Sequence, residues 1–232
     1  MYWDDDNKRA APYVPPDDIV DLAFAISCRC LPLDHAYALS QALREVLPWL
    51  VEDPGAGVHL IHGAESGNGW YRPQDAENEL LYLSRRTRLT LRVPKGRLEA
   101  ARALEGRTLD LDGYALEVGS GTLRPLSTLP TLFARYVVAR EDHDEQQFLE
   151  SAMAWLKELD ISARKMLSGR AHPIHTPDGE LFTRSLMVAE LDPEQSVRLQ
   201  QTGVGPGRAI GCGLFIAHKG IAAVGSGPES RG

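Results

Sequence analysis

The fold is indicated most clearly by residues 165–190, which read KMLSGRAHPIHTPDGELFTRSLMVAE. The tetrad Thr176-Pro177-Asp178-Gly179 lies in the middle of this stretch, and a Pro-Asp-Gly sequence is a strong turn signal. We therefore expect two strands, Lys165 to His175 and Glu180 to Glu190, joined as a β-hairpin.

The segments on either side of this hairpin complete a six-element unit. Asp144 and Gln147 have the spacing of a capping box, and Asp192 followed by Pro193 has the pattern of a helix start. The further expected elements are a strand at Thr131 to Ala139, a helix at Asp144 to Leu159, a short helix from Asp192 and a last strand at Leu214 to His218. The order is β-α-β-β-α-β.

The first half of the chain shows the same order. Asp34 is a favourable N-cap residue, and apolar residues at helical spacing follow it. The expected elements are strands at Ile19 to Ser27, Val58 to Gly63, Leu80 to Val93 and Tyr114 to Leu123, with helices at Asp34 to Leu50 and Lys95 to Leu104. The sequence thus predicts an α+β protein with two tandem ferredoxin-like (RRM-like) domains.

The expected domain limits follow from these elements. They are residues 19–124 and 131–221, with flexible tails at 1–18 and 222–232 and a Gly-rich loop at 203–213 in the second domain. Arg124 to Pro130 reads as a linker with two prolines.

Composition excludes several classes of protein. With 43% hydrophobic and 25% charged residues in 232, the chain has globular proportions and is neither disordered nor collagen-like. Its apolar runs are too short for a membrane span, its start is acidic, and it has three cysteines, so we expect a reduced, cytoplasmic protein with no membrane contact. The net charge of −7 argues against a nucleic-acid partner, but the local distribution of charge matters more than the sum.

The most unusual segment is the Gly-rich loop, GVGPGRAIGCG at residues 203–213. It fails the G-x-G-x-x-G spacing of a dinucleotide loop, and it leads from a helix to a strand. Unblocked main-chain N–H groups beside the cation Arg208 suit a polyanion. The alternative is a long structural turn.

This loop resembles a known family. Residues 205–215, GPGRAIGCGLF, look like the signature of the CRISPR-associated repeat-RNA endoribonucleases, the sixth of the numbered Cas proteins. Residues 33–39, LDHAYAL, resemble in particular the branch named after a myxobacterial system. The resemblance implies tandem ferredoxin-like domains and the cutting of a repeat-spacer transcript into guide RNAs. It implies attack by a ribose 2′-OH without a metal or other cofactor, leaving a 2′,3′-cyclic phosphate and a 5′-OH, and RNA and other CRISPR effector subunits as partners.

Such a cut needs proton-transfer groups and a cation for the phosphate. His35 is the first candidate, because we expect it in the first turn of a helix, where the dipole favours a neutral base and family members often carry a catalytic histidine. His59 is the alternative, and Lys219 is expected to reach the phosphate beside Arg208. The alternative for His35 is a solvated residue without a role in catalysis.

A metal site is not expected. His59 and His62 have an odd separation on a predicted strand, as do His172 and His175, so neither pair can chelate one ion. Cys28 and Cys30 lack a second ligand pair.

The predicted RNA-binding residues are basic side chains and loop glycines. Arg86, Arg88 and Arg92 share one face of the predicted strand Leu80 to Val93, whereas the opposite face is largely apolar. The full set is Arg85, Arg86, Arg88, Arg92, Arg164, Arg170, Gly205, Gly207, Arg208, Gly211 and Gly213. The alternative is a solvated sheet edge protected by charge.

Two other functions remain open on the sequence. A non-catalytic subunit that binds the guide-RNA hairpin in an effector complex would use the same arginines and loop. A metal-dependent nuclease would use the histidine pairs.

Overall fold

The computed structural model describes residues 13–62 and 80–218. The first half contains β1 (Ile19–Ser27), β2 (Cys30–Pro32), α1 (Ala36–Val46), β3 (Gly57–His59), β4 (Leu80–Tyr82), β5 (Arg88–Pro94), α2 (Leu98–Ala101), β6 (Thr108–Leu111) and β7 (Tyr114–Arg124). The second half contains β8 (Leu132–Val138), α3 (Glu145–Glu158), β9 (Lys165–Thr176), β10 (Gly179–Ala189), α4 (Pro193–Thr202) and β11 (Ile216–Ala217).

The strand orders confirm the predicted fold. The first sheet has the order β3-β5-β1-β7-β6 and the second has the order β11-β8-β10-β9, with antiparallel pairing throughout. Apart from the added edge strand β6, both sheets have the ferredoxin-like order, in which the first and third strands of the unit are central. The division of the chain at residues 124 and 131 stays a prediction.

Local capping explains the helices of the second half. Asp144 accepts a hydrogen bond from the Gln147 backbone N–H at 2.9 Å, and the Gln147 side chain accepts one from the Asp144 N–H. Asp192 and Gln195 form the same capping box at the start of α4. Both predicted helix starts are therefore confirmed, because each cap satisfies backbone donors that the first turn leaves unpaired.

The first half differs from the prediction in several elements: β2 and β6 are additional strands, and one predicted strand and one helix start are changed. The expected long strand Leu80 to Val93 is interrupted, because the Ser84 and Thr87 hydroxyls accept backbone N–H groups and close a turn between β4 and β5. The N-cap of α1 is His35 and not Asp34, and no side-chain hydrogen bond caps this helix.

Each sheet has its own hydrophobic core, and a third, smaller cluster joins them. Ala36 of α1, Ile174 of β9 and Cys212 of the Gly-rich loop are all buried in this junction cluster. The start of α1, the middle of the second hairpin and the loop therefore meet where the two sheets contact each other. None of the helices in the described part of the chain is long and apolar enough to cross a bilayer.

Candidate active site at the junction of the two sheets

His35 lies inside the junction instead of facing solvent. Its side chain is buried, and its Nε2 accepts a hydrogen bond from the Ile61 backbone N–H at 3.1 Å. Because Nε2 accepts, the ring proton is assigned to Nδ1, which then donates to the Pro32 carbonyl at 2.9 Å. Both ring nitrogens thus hold backbone groups, which contradicts the alternative of a solvated side chain, and the catalytic role of His35 stays a prediction.

Asp34 links the start of α1 to the second sheet. Its Oδ2 accepts a hydrogen bond from the His175 backbone N–H at 3.1 Å and forms a second, very short contact with His175 Nδ1. The Nε2 atom of His175 lies 3.2 Å from Glu180 Oε1. The carboxylate predicted to cap α1 is instead part of an ion-paired contact that holds β9 against this helix.

Three side chains that can transfer or donate protons converge beside this contact. The rings of His62 and Tyr136 are nearly parallel, at 20° with centroids 6.2 Å apart, and the edge-to-face rings of Tyr136 and His172 also lie 6.2 Å apart. All three are half-buried. They come from the chain after β3, from β8 and from β9, and we call them the imidazole–phenol cluster.

The backbone around this cluster is held in place. The Tyr136 carbonyl accepts the Gly213 N–H at 2.7 Å, and the Thr183 hydroxyl donates to the His172 carbonyl. Tyr136 also packs against the junction cluster. Such fixed main chain gives the two rings defined positions, which general acid–base chemistry requires.

The Gly-rich loop is packed between the sheets, which leaves little of it exposed, and its predicted contact with a polyanion stays a prediction. Of residues 203–213, Pro206 alone is exposed. Backbone N–H groups of the loop are used internally, for example Cys212 N–H to the Gly207 carbonyl at 2.9 Å and Val204 N–H to the Gly213 carbonyl at 3.2 Å. An anion site needs such donors to be available.

The glycines of the loop are explained by backbone conformation and close packing. The predicted RNA-binding glycines Gly205, Gly207, Gly211 and Gly213 all have positive φ. A Cβ atom on Gly213 would lie 2.2 Å from the Val204 carbonyl oxygen, and one on Gly211 would lie 2.5 Å from Leu60. The lack of side chains therefore serves the packing of the junction.

Arg208 is occupied by carbonyl groups from both halves of the chain. Its guanidinium donates to Ala56 O at 2.9 Å, Gln201 O at 3.1 Å, Gly55 O at 3.3 Å and Thr202 O at 2.5 Å. Burial and, to a lesser extent, the nearby charge of Arg92 lower its pKa to about 10, and Asp21 opposes the shift. Arg208 joins the loop to the turn before β3, and its donors do not face a phosphate, which corrects its predicted role.

Arg92 is also a buried structural residue and not an RNA contact. Its side chain is fully buried and forms a two-point ion pair with Asp21, at 2.9 and 3.1 Å. Its remaining donors reach Gln200 O at 2.6 Å and Phe215 O at 3.0 Å in the second half. Burial acts to raise the pKa of Asp21, but Arg92 and His59 outweigh it and hold that pKa well below its ordinary value.

His59, the alternative catalytic residue, belongs to this buried charge network. Its Nε2 lies 3.5 Å from Asp21 Oδ1. Burial lowers the pKa of His59, Arg92 and Arg208 lower it further, and Asp21 opposes the shift. The imidazole ring therefore favours its neutral form inside this buried charge network.

The other predicted basic residues divide into two groups at the surface. Arg85 and Arg86 are exposed in the turn between β4 and β5, where Arg88 donates to the carbonyls of Arg85 at 2.8 Å and Thr87 at 2.7 Å. Arg164 and Arg170 are exposed just before and within β9, the edge strand of the second sheet. Lys219 lies outside the described residues.

Sequence reasoning missed the imidazole–phenol cluster. The sequence pattern suggests His62 and His172 only as metal ligands. Their odd spacing from His59 and His175 argues against a shared ion, but it does not indicate which residues each ring contacts. The histidine pairs were the available sequence signal for this cluster. No motif or spacing in the sequence points to Tyr136 as a member of it. In the two described ranges, no group of three or more His, Cys, Asp or Glu side chains could hold a metal ion.

Comparisons with known proteins give one consistent family. The family model described as Cas6 Crispr matches residues 20–220. The CRISPR-associated endonuclease Cas6 of Myxococcus xanthus strain DK1622 is 34% identical over 197 residues, which cover 85% of this chain and 80% of that protein.

Solved structures share the fold at low sequence identity. A CRISPR-associated protein Cas6 superposes with a TM-score of 0.58 at 11% identity, covering 87% of this chain and 100% of the other. A Cas6-related protein of Pyrococcus furiosus superposes with a TM-score of 0.61 at 12% identity, covering 87% and 99%. At these identities the superpositions establish the architecture alone.

Proposed function

Because this chain belongs to the Cas6 family, we propose that it is an endoribonuclease that binds CRISPR repeat RNA and cuts the precursor transcript into guide RNAs. The Myxococcus relative, an endonuclease by name, aligns with 85% of the chain and supports an enzyme over a binding module. The observation that carries the chemistry is the imidazole–phenol cluster, where the rings of His62 and His172 each lie 6.2 Å from the ring of Tyr136.

The proposed reaction is in-line attack by a ribose 2′-OH on the adjacent phosphorus. One imidazole of the cluster takes the 2′-OH proton, the 2′-oxygen forms a bond to phosphorus, and the P–O5′ bond breaks. The other imidazole, in its protonated form, gives a proton to the departing 5′-oxygen. The products are a 2′,3′-cyclic phosphate and a 5′-OH, and no redox or metal step is needed to balance them.

Tyr136 has a separate role in this proposal. A phenol donates a hydrogen bond without becoming charged, so it can stabilise negative charge that develops on a non-bridging phosphate oxygen. Its ring contact with both imidazoles suits that role. His35, whose ring holds the Pro32 and Ile61 backbone groups, acts as a positioning residue that keeps the chain before His62 in place.

RNA binding is assigned to the exposed arginines. Arg85, Arg86, Arg164 and Arg170 are all exposed, and their charges favour a phosphate backbone. An RNA hairpin is recognised largely through its shape, phosphates and 2′-OH groups, because the A-form major groove is too narrow for side chains. Separate arginines on both halves of a net-acidic protein fit that mode of recognition.

The test is cleavage of 5′-labelled CRISPR repeat RNAs in excess EDTA under single-turnover conditions. We expect cutting, with a cyclic phosphate on the upstream fragment, and a loss of about 10²- to 10⁴-fold in rate for His62→Ala and for His172→Ala, the usual effect of removing a general acid or base. His143→Ala is the matched control, because His143 lies in the turn before α3, outside the cluster, and should cut at the wild-type rate.

Each remaining outcome rejects part of the proposal. Cutting that requires a divalent ion rejects the metal-free reaction. Wild-type rates in both histidine variants reject the cluster. Tight binding of a repeat hairpin without cutting in any buffer selects the non-catalytic RNA-binding subunit.

A further inference from the structure

Tyr82 is unusually exposed for an aromatic side chain on a strand. It is 66% exposed, whereas its neighbours Leu81 and Leu83 pack against the core of the first sheet. Successive side chains of a strand point to opposite faces, so burial of Leu81 and Leu83 turns the ring of Tyr82 outward. An aromatic ring held outward in this way has a face on which a base of a single-stranded nucleic acid can stack.

Three exposed arginines lie near Tyr82 along the paired strands and the turn that follows. Cys30 of β2 pairs with Tyr82, and the carbonyl of the preceding Arg29 accepts the Leu83 N–H at 3.1 Å. Arg85 and Arg86 follow in the turn after β4, and all three arginines are exposed. None of them forms an ion pair with a residue in the described ranges, and residues 22–33 and 80–94 contain no acidic residue.

The turn that carries two of these arginines is held in one shape. Ser84 N–H donates to the Thr87 hydroxyl at 3.2 Å, and Thr87 N–H donates to the Ser84 carbonyl at 3.0 Å. The Arg88 guanidinium adds bonds to two carbonyls of the same turn. The charges of Arg85 and Arg86 are thus carried on a preformed support, which lowers the entropy lost on binding.

We propose that Tyr82 with Arg29, Arg85 and Arg86, here called the Tyr82 patch, binds an unpaired nucleotide of the RNA substrate. The base stacks on the phenol ring, and the arginines contact the flanking phosphates. This inference rests on the proposed function for the identity of the ligand as RNA. An unpaired base is specified because the faces of bases inside a duplex are already covered by their neighbours, whereas single strands are bound by aromatic stacking together with positive charge.

The experiment uses the full chain and a fluorescein-labelled ten-nucleotide oligouridine RNA, which has no stable hairpin. We expect Tyr82→Ala to weaken its binding by about 5- to 150-fold, the range for removal of one stacking aromatic, and Tyr82→Phe to retain it. In Tyr82→Trp, the added indole fluorescence should be quenched when this RNA binds, which reports contact at that position. Arg85→Gln should lower the salt dependence of log Kd by about 0.7.

Tyr13→Ala is the matched control. Tyr13 is also exposed, but it precedes the start of β1, whereas Arg29 follows the end of that strand. The nine residues of β1 span about 30 Å, which separates the two ends. Its removal should leave the oligouridine affinity unchanged.

The outcomes separate this inference from the proposed function. If wild-type protein cuts repeat RNA but Tyr82→Ala binds oligouridine as tightly as wild type, or Tyr82→Trp shows no quenching, the Tyr82 patch is rejected and the nuclease stands. If only the arginine substitution weakens binding, the patch is an electrostatic contact without stacking, and the inference is overturned. If the RNA quenches Tyr82→Trp but wild type cuts no repeat RNA, the proposed function fails and the single-strand site stands.

Discussion

Replacing Arg92 by methionine tests whether this buried side chain, which is ion-paired within the first half, also holds the second half through hydrogen bonds. Arg92 is fully buried and its guanidinium makes two bonds to Asp21 and two to main-chain carbonyls of the second half. Methionine fills part of the space but leaves the Asp21 carboxylate and both carbonyls without these donors.

The expected loss in the free energy of unfolding is large. Breaking a buried ion pair by removing one partner typically costs about 3–5 kcal/mol, and the 18% exposure of the Asp21 side chain reduces the penalty for its unpaired charge. The two carbonyls that lose a donor add to this cost, and the retained methylene contacts offset part of it. We expect Arg92→Met to lose about 4 kcal/mol, a considerable part of the roughly 5–15 kcal/mol that stabilises a typical domain.

The measurement is urea unfolding followed by circular dichroism, with Arg85→Met as the control. Arg85 is exposed, so its substitution should change the free energy of unfolding by no more than about 0.5 kcal/mol. Adding Asp21→Asn to Arg92→Met should recover part of the loss, because it removes the stranded charge. A loss for Arg92→Met as small as that for Arg85→Met would refute the reasoning.

Three other properties of the junction can be tested. The pKa of His59 in the folded protein lies below its ordinary 6.5, so the unfolded chain binds more protons than the folded chain as the pH falls. The contribution of neutral His59 to the free energy of unfolding is therefore complete above pH 6.5 and is lost at lower pH. His59→Gln should lose less free energy of unfolding between pH 7 and pH 5 than wild type, and parallel curves of the two proteins would contradict this. Gly213→Ala should lower the melting temperature strongly, because Gly213 has a φ of +70° and the added Cβ would lie 2.2 Å from a carbonyl oxygen. Gly96→Ala, with open space around the added Cβ, should not lower it. Equal shifts in the two variants would reject the packing described here. Burial raises the pKa of Cys212 to about 12, so iodoacetamide at pH 8 should leave this thiol unmodified in the folded protein. Peptide mass mapping measures the modification, and ready modification of Cys212 would mean that the junction opens.

Local sequence signals predicted the fold well. The capping boxes at Asp144 and Asp192 and the turn at Pro177-Asp178-Gly179 all act between residues close in sequence, so their patterns could be recognised without tertiary information. The break between β4 and β5 was missed because leucines alternate in the same strand-like register on both sides of it. The turn itself depends on hydrogen bonds to the hydroxyl groups of Ser84 and Thr87, which the apolar pattern does not indicate.

The candidate site was harder to predict because its residues act over long distances in sequence. Arg92 and Arg208 appeared to be RNA ligands by type and spacing, yet their partners are up to 123 and 153 positions away. The glycines near the carboxyl end have the composition of an anion loop, but their positive φ values and close contacts serve packing. Tyr136 and His172 share the second sheet, and His62 meets them only through the contact of the two sheets.

The most direct test of the central claim is the rate and end chemistry of repeat-RNA cutting in EDTA by wild type, His172→Ala and His35→Asn, each at a temperature where circular dichroism shows it folded. We expect a 2′,3′-cyclic phosphate product from wild type, near-complete loss of cutting in His172→Ala, and a smaller effect in His35→Asn with an unchanged pH profile. A His172→Ala variant that cuts at the wild-type rate, while His35→Asn is inactive, would contradict it.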